Sequence, residues 1–146
     1  MEIFRARGFS LFELLIVLTI VALLASVGAF GMSGFRSGQV LRASRDEAAM
    51  LVENARSMAV YSGQPRYLRY DSTNRIFWVE TAGGTRVSDN VRIESGITVA
   101  GPGQVIFTGT GALSPVTSVN YTFTFTPSGR TLTLTIHPHS GRAEAV

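Results

Sequence analysis

The sequence predicts an α+β protein: one long N-terminal helix followed by a small antiparallel β-sheet domain. Three observations predict it. The chain opens with an apolar stretch that is uncharged from Leu14 to Phe35. Three- and four-residue apolar periodicity then runs to about Ser62, and from Arg66 the pattern changes to two-residue alternation broken by glycine and proline. The length of 146 residues fits one domain with an appendage. The chain has no cysteine, so the fold must hold by packing without disulfides, and a thiolate metal site is excluded.

The formal charge is +3, and all thirteen basic residues are arginine. Arginine is the better residue for bidentate phosphate contacts. Two of them, Arg5 and Arg7, precede the apolar run, and beyond residue 8 eleven arginines face nine acids. That balance is too even to argue for nucleic acid by itself.

The 22 uncharged positions from Leu14 to Phe35 would span about 33 Å as a helix, enough to cross a bilayer core. Arg5 and Arg7 place its N-terminal side in the cytoplasm, so the rest of the chain lies outside it. A cleaved secretory signal would have a shorter apolar core, and Ala22 to Val27 offers only a weak small-residue cleavage site. A plain signal anchor leaves Glu13 unexplained, although a carboxylate at the edge of an apolar helix costs about 1–3 kcal/mol.

A third reading uses every residue. Gly8-Phe9-Ser10-Leu11-Phe12-Glu13-Leu14-Leu15-Ile16-Val17, behind a short basic leader, resembles the type III signal of type IV pilins and type II secretion pseudopilins. The resemblance implies that a prepilin peptidase cuts after Gly8 and methylates the new N-terminus at Phe9. Glu13 then takes the family's fifth mature position, where a glutamate pairs with the N-terminus of a neighbouring subunit during assembly. Gly8 has no side chain to obstruct a protease that binds extended backbone. The division that follows is a leader over 1–8, a transmembrane and filament-core helix over 9–35, its amphipathic continuation over 36–62, and an extracytoplasmic β domain over 63–146.

Gly28, Gly31, Gly34 and Gly38 predict a soft joint after the apolar run, since glycine costs about 1 kcal/mol in a helix interior. Leu41, Ala48, Leu51, Val52, Ala55, Met58 and Ala59 then form a core-facing stripe. Arg42 with Asp46 and Glu53 with Arg56 have the spacing of helix surface pairs on the solvated back. Gly63 and Pro65 mark the stop.

Strands are expected over 66–70 and 75–80, around the turn Asp71-Ser72-Thr73-Asn74, and over 91–93, 97–99 and 104–107. Residues 121–125 and 131–136 alternate apolar side chains with threonine. A turn at Pro127-Ser128-Gly129-Arg130 sets Phe125 opposite Leu132, Phe123 opposite Leu134 and Tyr121 opposite Ile136. Val105-Ile106-Phe107 before a glycine-rich turn and the closing Ser140-Gly141-Arg142 resemble the GspH/FimT family of minor pseudopilins. Its pilin-like fold is a long helix packed on antiparallel sheet, with a last strand after such a turn.

Other chemistry is sparse. His137 and His139 would share a strand face, but no cysteine or obvious carboxylate completes a metal site. There is no G-x-S-x-G elbow and no phosphate loop, and Phe77 with Trp78 reads as core. No catalytic residue, cofactor or metal is expected. The functional expectation is a minor subunit of a type II secretion pseudopilus or type IV pilus. Its expected partners are other pilins or pseudopilins, prepilin peptidase and inner-membrane lipid. It would cross the bacterial inner membrane once, with the C-terminal domain periplasmic. The alternative is a DNA receptor in natural transformation, where FimT-like proteins use an arginine-rich G-R-x-R tail. Here that tail reads Gly141-Arg142-Ala143-Glu144, and Glu144 in place of the second arginine repels phosphate. Arg130 and Arg142, in or beside glycine turns, are the candidate DNA contacts.

Overall fold

The computed structural model describes residues 10–146, with backbone alone over 27–36. Helix α1 spans Leu11–Ser62 and is unbroken through the four glycines where a soft joint was expected. The chain divides into two compact units, residues 1–36 and 37–146.

In the second unit the buried helix positions are Ser37, Leu41, Ser44, Ala48, Leu51, Val52, Ala55 and Ala59. Their three- and four-residue steps are those of one helix face. The stripe was legible apart from its two serines. Four of the stripe's positions, 44, 48, 55 and 59, carry small side chains. The helix stops at Gly63, whose φ of 63° is the left-handed conformation that ends many helices.

Nine strands follow. They are β1 (Arg66–Asp71), β2 (Ile76–Thr81), β3 (Val91–Arg92), β4 (Ile97–Ala100), β5 (Gln104–Phe107), β6 (Leu113–Ser114), β7 (Val119–Phe125), β8 (Arg130–Ile136) and β9 (Ala143–Ala145). They form a first sheet in the order β3-β2-β1-β5-β6 and a second in the order β4-β7-β8-β9, with every pairing antiparallel. Alternation explains the burial. Leu68, Tyr70, Phe77, Val79, Val105 and Phe107 point inward from the first sheet, and Ile97, Tyr121, Phe123, Leu134 and Ile136 from the second. Phe77 joins the two, its ring 4.3 Å from Tyr70 and 5.2 Å from Tyr121. Tyr121 is wholly buried, and its hydroxyl donates to the Pro102 carbonyl at 2.8 Å, so no polar atom is orphaned there.

Four expectations need correction. The β7–β8 hairpin pairs Phe125 with Arg130, Phe123 with Leu132, Tyr121 with Leu134 and Val119 with Ile136, two residues away from the expected register. A two-residue slip keeps each side chain on its face, so alternation could not choose between them. The turn chose: Gly129, at φ 65°, takes the left-handed last position of a four-residue loop, and its N–H donates to the Phe125 carbonyl at 2.9 Å. Arg75 belongs to the β1–β2 turn and not to β2, with φ 56°. Trp78 is not core. It lies on the outer face of the first sheet, half-buried, donating to Glu80 at 3.1 Å with the Arg86 guanidinium 4.6 Å over its ring. Adjacent strand residues face opposite ways, and Phe77 took the inner face. Finally, Asp46 pairs with Arg45 at 2.8 Å and not with Arg42.

Candidate assembly and contact sites

Gly8 and Phe9 lie outside the described residues. The description begins at Ser10, and there the first turn of α1 is closed by two reciprocal bonds. The Ser10 hydroxyl accepts from the Glu13 N–H at 3.2 Å, and the Glu13 carboxylate accepts from the Ser10 N–H at 3.3 Å. This S-x-x-E arrangement is a capping box and satisfies two donors that a helix start otherwise leaves open. The spacing was present in the sequence, but Ser10 was not singled out. A carboxylate offers several acceptor positions, so Glu13 can hold Ser10 and still receive a cation from another chain.

From Leu11 to Ser26 every side chain of the helix is exposed. Leu11 is 85% exposed, Phe12 73%, Leu18 59% and Leu24 69%, and every other large apolar residue through Leu24 is at least 42% exposed. The hydroxyls in the stretch turn back onto the helix: Thr19 donates to the Ile16 carbonyl at 2.7 Å and Ser26 to the Leu23 carbonyl at 2.7 Å. A helix apolar all round, with its polar atoms satisfied internally, fits lipid or other helices and not water. Among the residues whose side chains are described, no helix segment is long and apolar enough to cross a membrane. The apolar run continues in sequence to Phe35, so the expected span over 9–35 falls partly outside them.

The two C-terminal features singled out in the sequence meet in space. The turn after β5 and the Ser140-Gly141-Arg142 turn touch each other and the helix end. A Cβ on Gly109 would stand 2.5 Å from the Gly63 carbonyl oxygen, and one on Gly141 would stand 2.0 Å from that of Gly111. Glu53 and Arg56 pair at 3.4 Å, but they are no solvated surface pair. The Arg56 Nε donates to the Ser140 carbonyl at 2.6 Å, and the Glu53 carboxylate accepts from the Ala143 N–H at 3.0 Å. The helix thus clamps the closing turn, and β9 adds to β8 directly after it.

The candidate DNA contacts are not brought together. Arg130 opens β8, while Arg142 immediately precedes Ala143, which pairs with Ile136 at the far end of that strand. Six residues of strand put them about 20 Å apart. The Arg130 guanidinium lies against the helix at Gly38, 3.3 Å from where a Cβ would stand. Both residues are exposed. The sequence reading found no carboxylate near His137; the structure supplies one. Glu144 lies opposite Thr135, a diagonal neighbour of His137, and its carboxylate is 2.7 Å from the His137 Nε2. The acid that departs from the arginine-rich tail pattern is therefore engaged beside the tail. Among the described residues no group of three or more metal-ligating side chains occurs.

Residues 3–29 match the prokaryotic N-terminal methylation motif. In fold the chain is similar to the type IV minor pilin FimU of Pseudomonas aeruginosa in two crystal forms. One has a TM-score of 0.64 at 18% identity, covering 77% of this chain and 92% of that one. The other has a TM-score of 0.59 at 16% identity, covering 72% and 91%. It is also similar to the minor pseudopilin EpsH from the type 2 secretion system of Vibrio cholerae, with a TM-score of 0.58 at 12% identity, covering 72% and 94%. No curated protein sequence matches the chain. At these identities the likeness is one of fold. The chain therefore has the pilin-like α+β fold and carries, at its N-terminus, the prokaryotic N-terminal methylation motif.

Proposed function

We propose that this chain is a minor pilin or pseudopilin subunit. Prepilin peptidase cuts after Gly8, Phe9 becomes the methylated N-terminus, and the apolar half of α1 anchors the chain in the inner membrane until it enters a pilus or a type II secretion pseudopilus. The observation that carries this reading is the helix over 11–24, exposed and apolar on all sides within the matched methylation motif. Such a surface is stable only where other apolar groups cover it. Lipid covers it in the membrane, and neighbouring helices cover it in a filament. Glu13 supplies the one charge among the described residues of that segment, already held by Ser10, so a cation on a neighbour meets it at a fixed place.

The test is a photo-crosslinking side chain at Leu18, in the chain expressed in its host with the assembly machinery intact. Crosslinks to the apolar helices of other subunits are expected. Crosslinks to lipid alone, in membranes and in the sheared filament fraction alike, would contradict the assembly role.

A further inference from the structure

The segment joining β2 to β3 behaves as an edge strand. The Thr81 N–H donates to the Thr85 carbonyl at 2.8 Å and the Val87 N–H to the Val79 carbonyl at 2.8 Å, on either side of the bridge between Glu80 and Arg86. A pair flanked in this way is of the non-hydrogen-bonded kind, so the N–H and C=O of Arg86 point away from β2. Arg92 repeats the geometry. It stands opposite Ile76, and the Ile93 N–H donates to the Arg75 carbonyl at 2.8 Å, so the Arg92 backbone groups also face outward. Their partners on β2, Glu80 and Ile76, are four residues apart, about 13 Å of strand. An incoming segment of about five extended residues therefore reaches both.

Beside this edge runs a groove of about 760 Å³ between the sheet and the flank of α1. Its apolar lining is Met50, Leu51, Met58, Val87 and Val91. Met50 is 72% exposed, and methionine adapts its shape to whatever it receives. The two sides of the edge differ in charge. Glu47 and Asp89 line the groove, which Arg86 also borders while its guanidinium stacks on Trp78 at the outer face. On the outer face of the sheet Arg86 and Arg92 form no salt bridge among the described residues; Arg86, opposite Glu80 and acting on it electrostatically, donates to the Asn90 side chain at 2.7 Å and stacks on Trp78.

We propose that this edge and groove take an extended segment of another protein as an added strand. Its apolar side chains enter the groove, and its alternate acidic side chains meet Arg86 and Arg92. Backbone pairing provides the attachment and the two side-chain rows provide the selection. Residues 88–90 oppose Trp78 alone on β2 and bulge the edge. Such a bulge blunts an edge against indiscriminate pairing, so the occupant is a short, chosen segment and not any strand.

The test uses the full chain in detergent micelles and a blocked synthetic heptapeptide alternating glutamate and valine. At saturating peptide, exchange of the Arg86 and Arg92 amide protons should slow by about tenfold or more, and the emission of Trp78 should shift. Met50→Glu, at an exposed position that leaves the fold intact, should weaken binding by about tenfold. Arg86→Glu should weaken it too, and a peptide alternating lysine and valine should restore binding to that variant. No slowing at millimolar peptide would overturn the proposal. So would equal slowing by a peptide of the same composition without alternation, or protection by a helical peptide instead.

Discussion

Replacing Gly141 with alanine isolates the close approach that locks the C-terminal turn to the helix. Gly141 has φ 62°, and a Cβ there would stand 2.0 Å from the Gly111 carbonyl oxygen and 3.2 Å from the Arg56 Cδ. The left-handed conformation alone costs an alanine about 1–2 kcal/mol. Overpacking a site that cannot yield adds about 1–3 kcal/mol, and here the nearest atom is backbone. The sum is about 2–5 kcal/mol. Gly129 provides the control: its φ is 65°, but nothing lies within 4 Å of its Cβ position, so Gly129→Ala should lose only the conformational part, about 1–2 kcal/mol. Urea unfolding of residues 37–146, followed by emission of the single tryptophan, Trp78, measures both variants. Equal destabilisation would refute the idea that the turn is held by contact with Gly111 and Arg56. A Gly141→Ala loss larger by about 1–3 kcal/mol would support it.

Three further outcomes follow from the same geometry. Glu13→Gln keeps an N3 side chain that can cap Ser10 but removes the charge, while Glu13→Val removes both. If assembly needs the charge, both variants should fail to enter sheared filaments; glutamine supporting normal assembly would leave capping as the sole role. Glu80 lies on the outer face of the first sheet, beside Trp78 and Arg69. Burial would raise its pKa, but the Arg69 guanidinium at 2.6 Å and the Trp78 N–H hold it below the usual glutamate value. A depressed folded pKa contributes stability that is full above the unfolded value of about 4.3 and is lost as pH falls through the folded value. Glu80→Gln should therefore flatten the acid limb of the stability curve of residues 37–146 below about pH 4.3, and an unchanged limb would contradict the network. For DNA, residues 37–146 should bind duplex weakly and with a shallow salt dependence, since Arg130 and Arg142 sit about 20 Å apart at opposite ends of β8. Tight, salt-steep binding lost in Arg142→Ala would contradict that separation.

The sequence made the helix stripe legible because its apolar positions recur at helical steps, and β5 because Gln104–Phe107 is bounded by glycine on one side and a glycine-rich turn on the other. It made the faces of β7 and β8 legible but not their register, because a two-residue slip leaves both faces unchanged and only the demand of Gly129 for a left-handed position decides. A strand as short as β6 carries too little alternation to be read, and β9 was legible only through the resemblance of the Ser140-Gly141-Arg142 turn before it. Trp78 misled because aromatic size suggested burial, whereas Phe77 and Val79 already fill the inner face. The roles of Glu53 and Arg56 depend on residues roughly ninety positions away, which no local spacing could reveal. At the N-terminus the opposite holds: the S-x-x-E cap was written in four residues.

The central claim is that the N-terminus is a prepilin signal and that the exposed apolar helix behind it is an assembly element. Mass spectrometry of the intact protein from its native host tests this directly. The account predicts a chain that begins at Phe9 and carries one methyl group on its terminal amine, with the precursor accumulating when Gly8 is replaced by a bulky residue. A mature chain beginning near Val27 would mean an ordinary secretory signal, with the apolar helix removed before it could assemble anything, and would contradict the account.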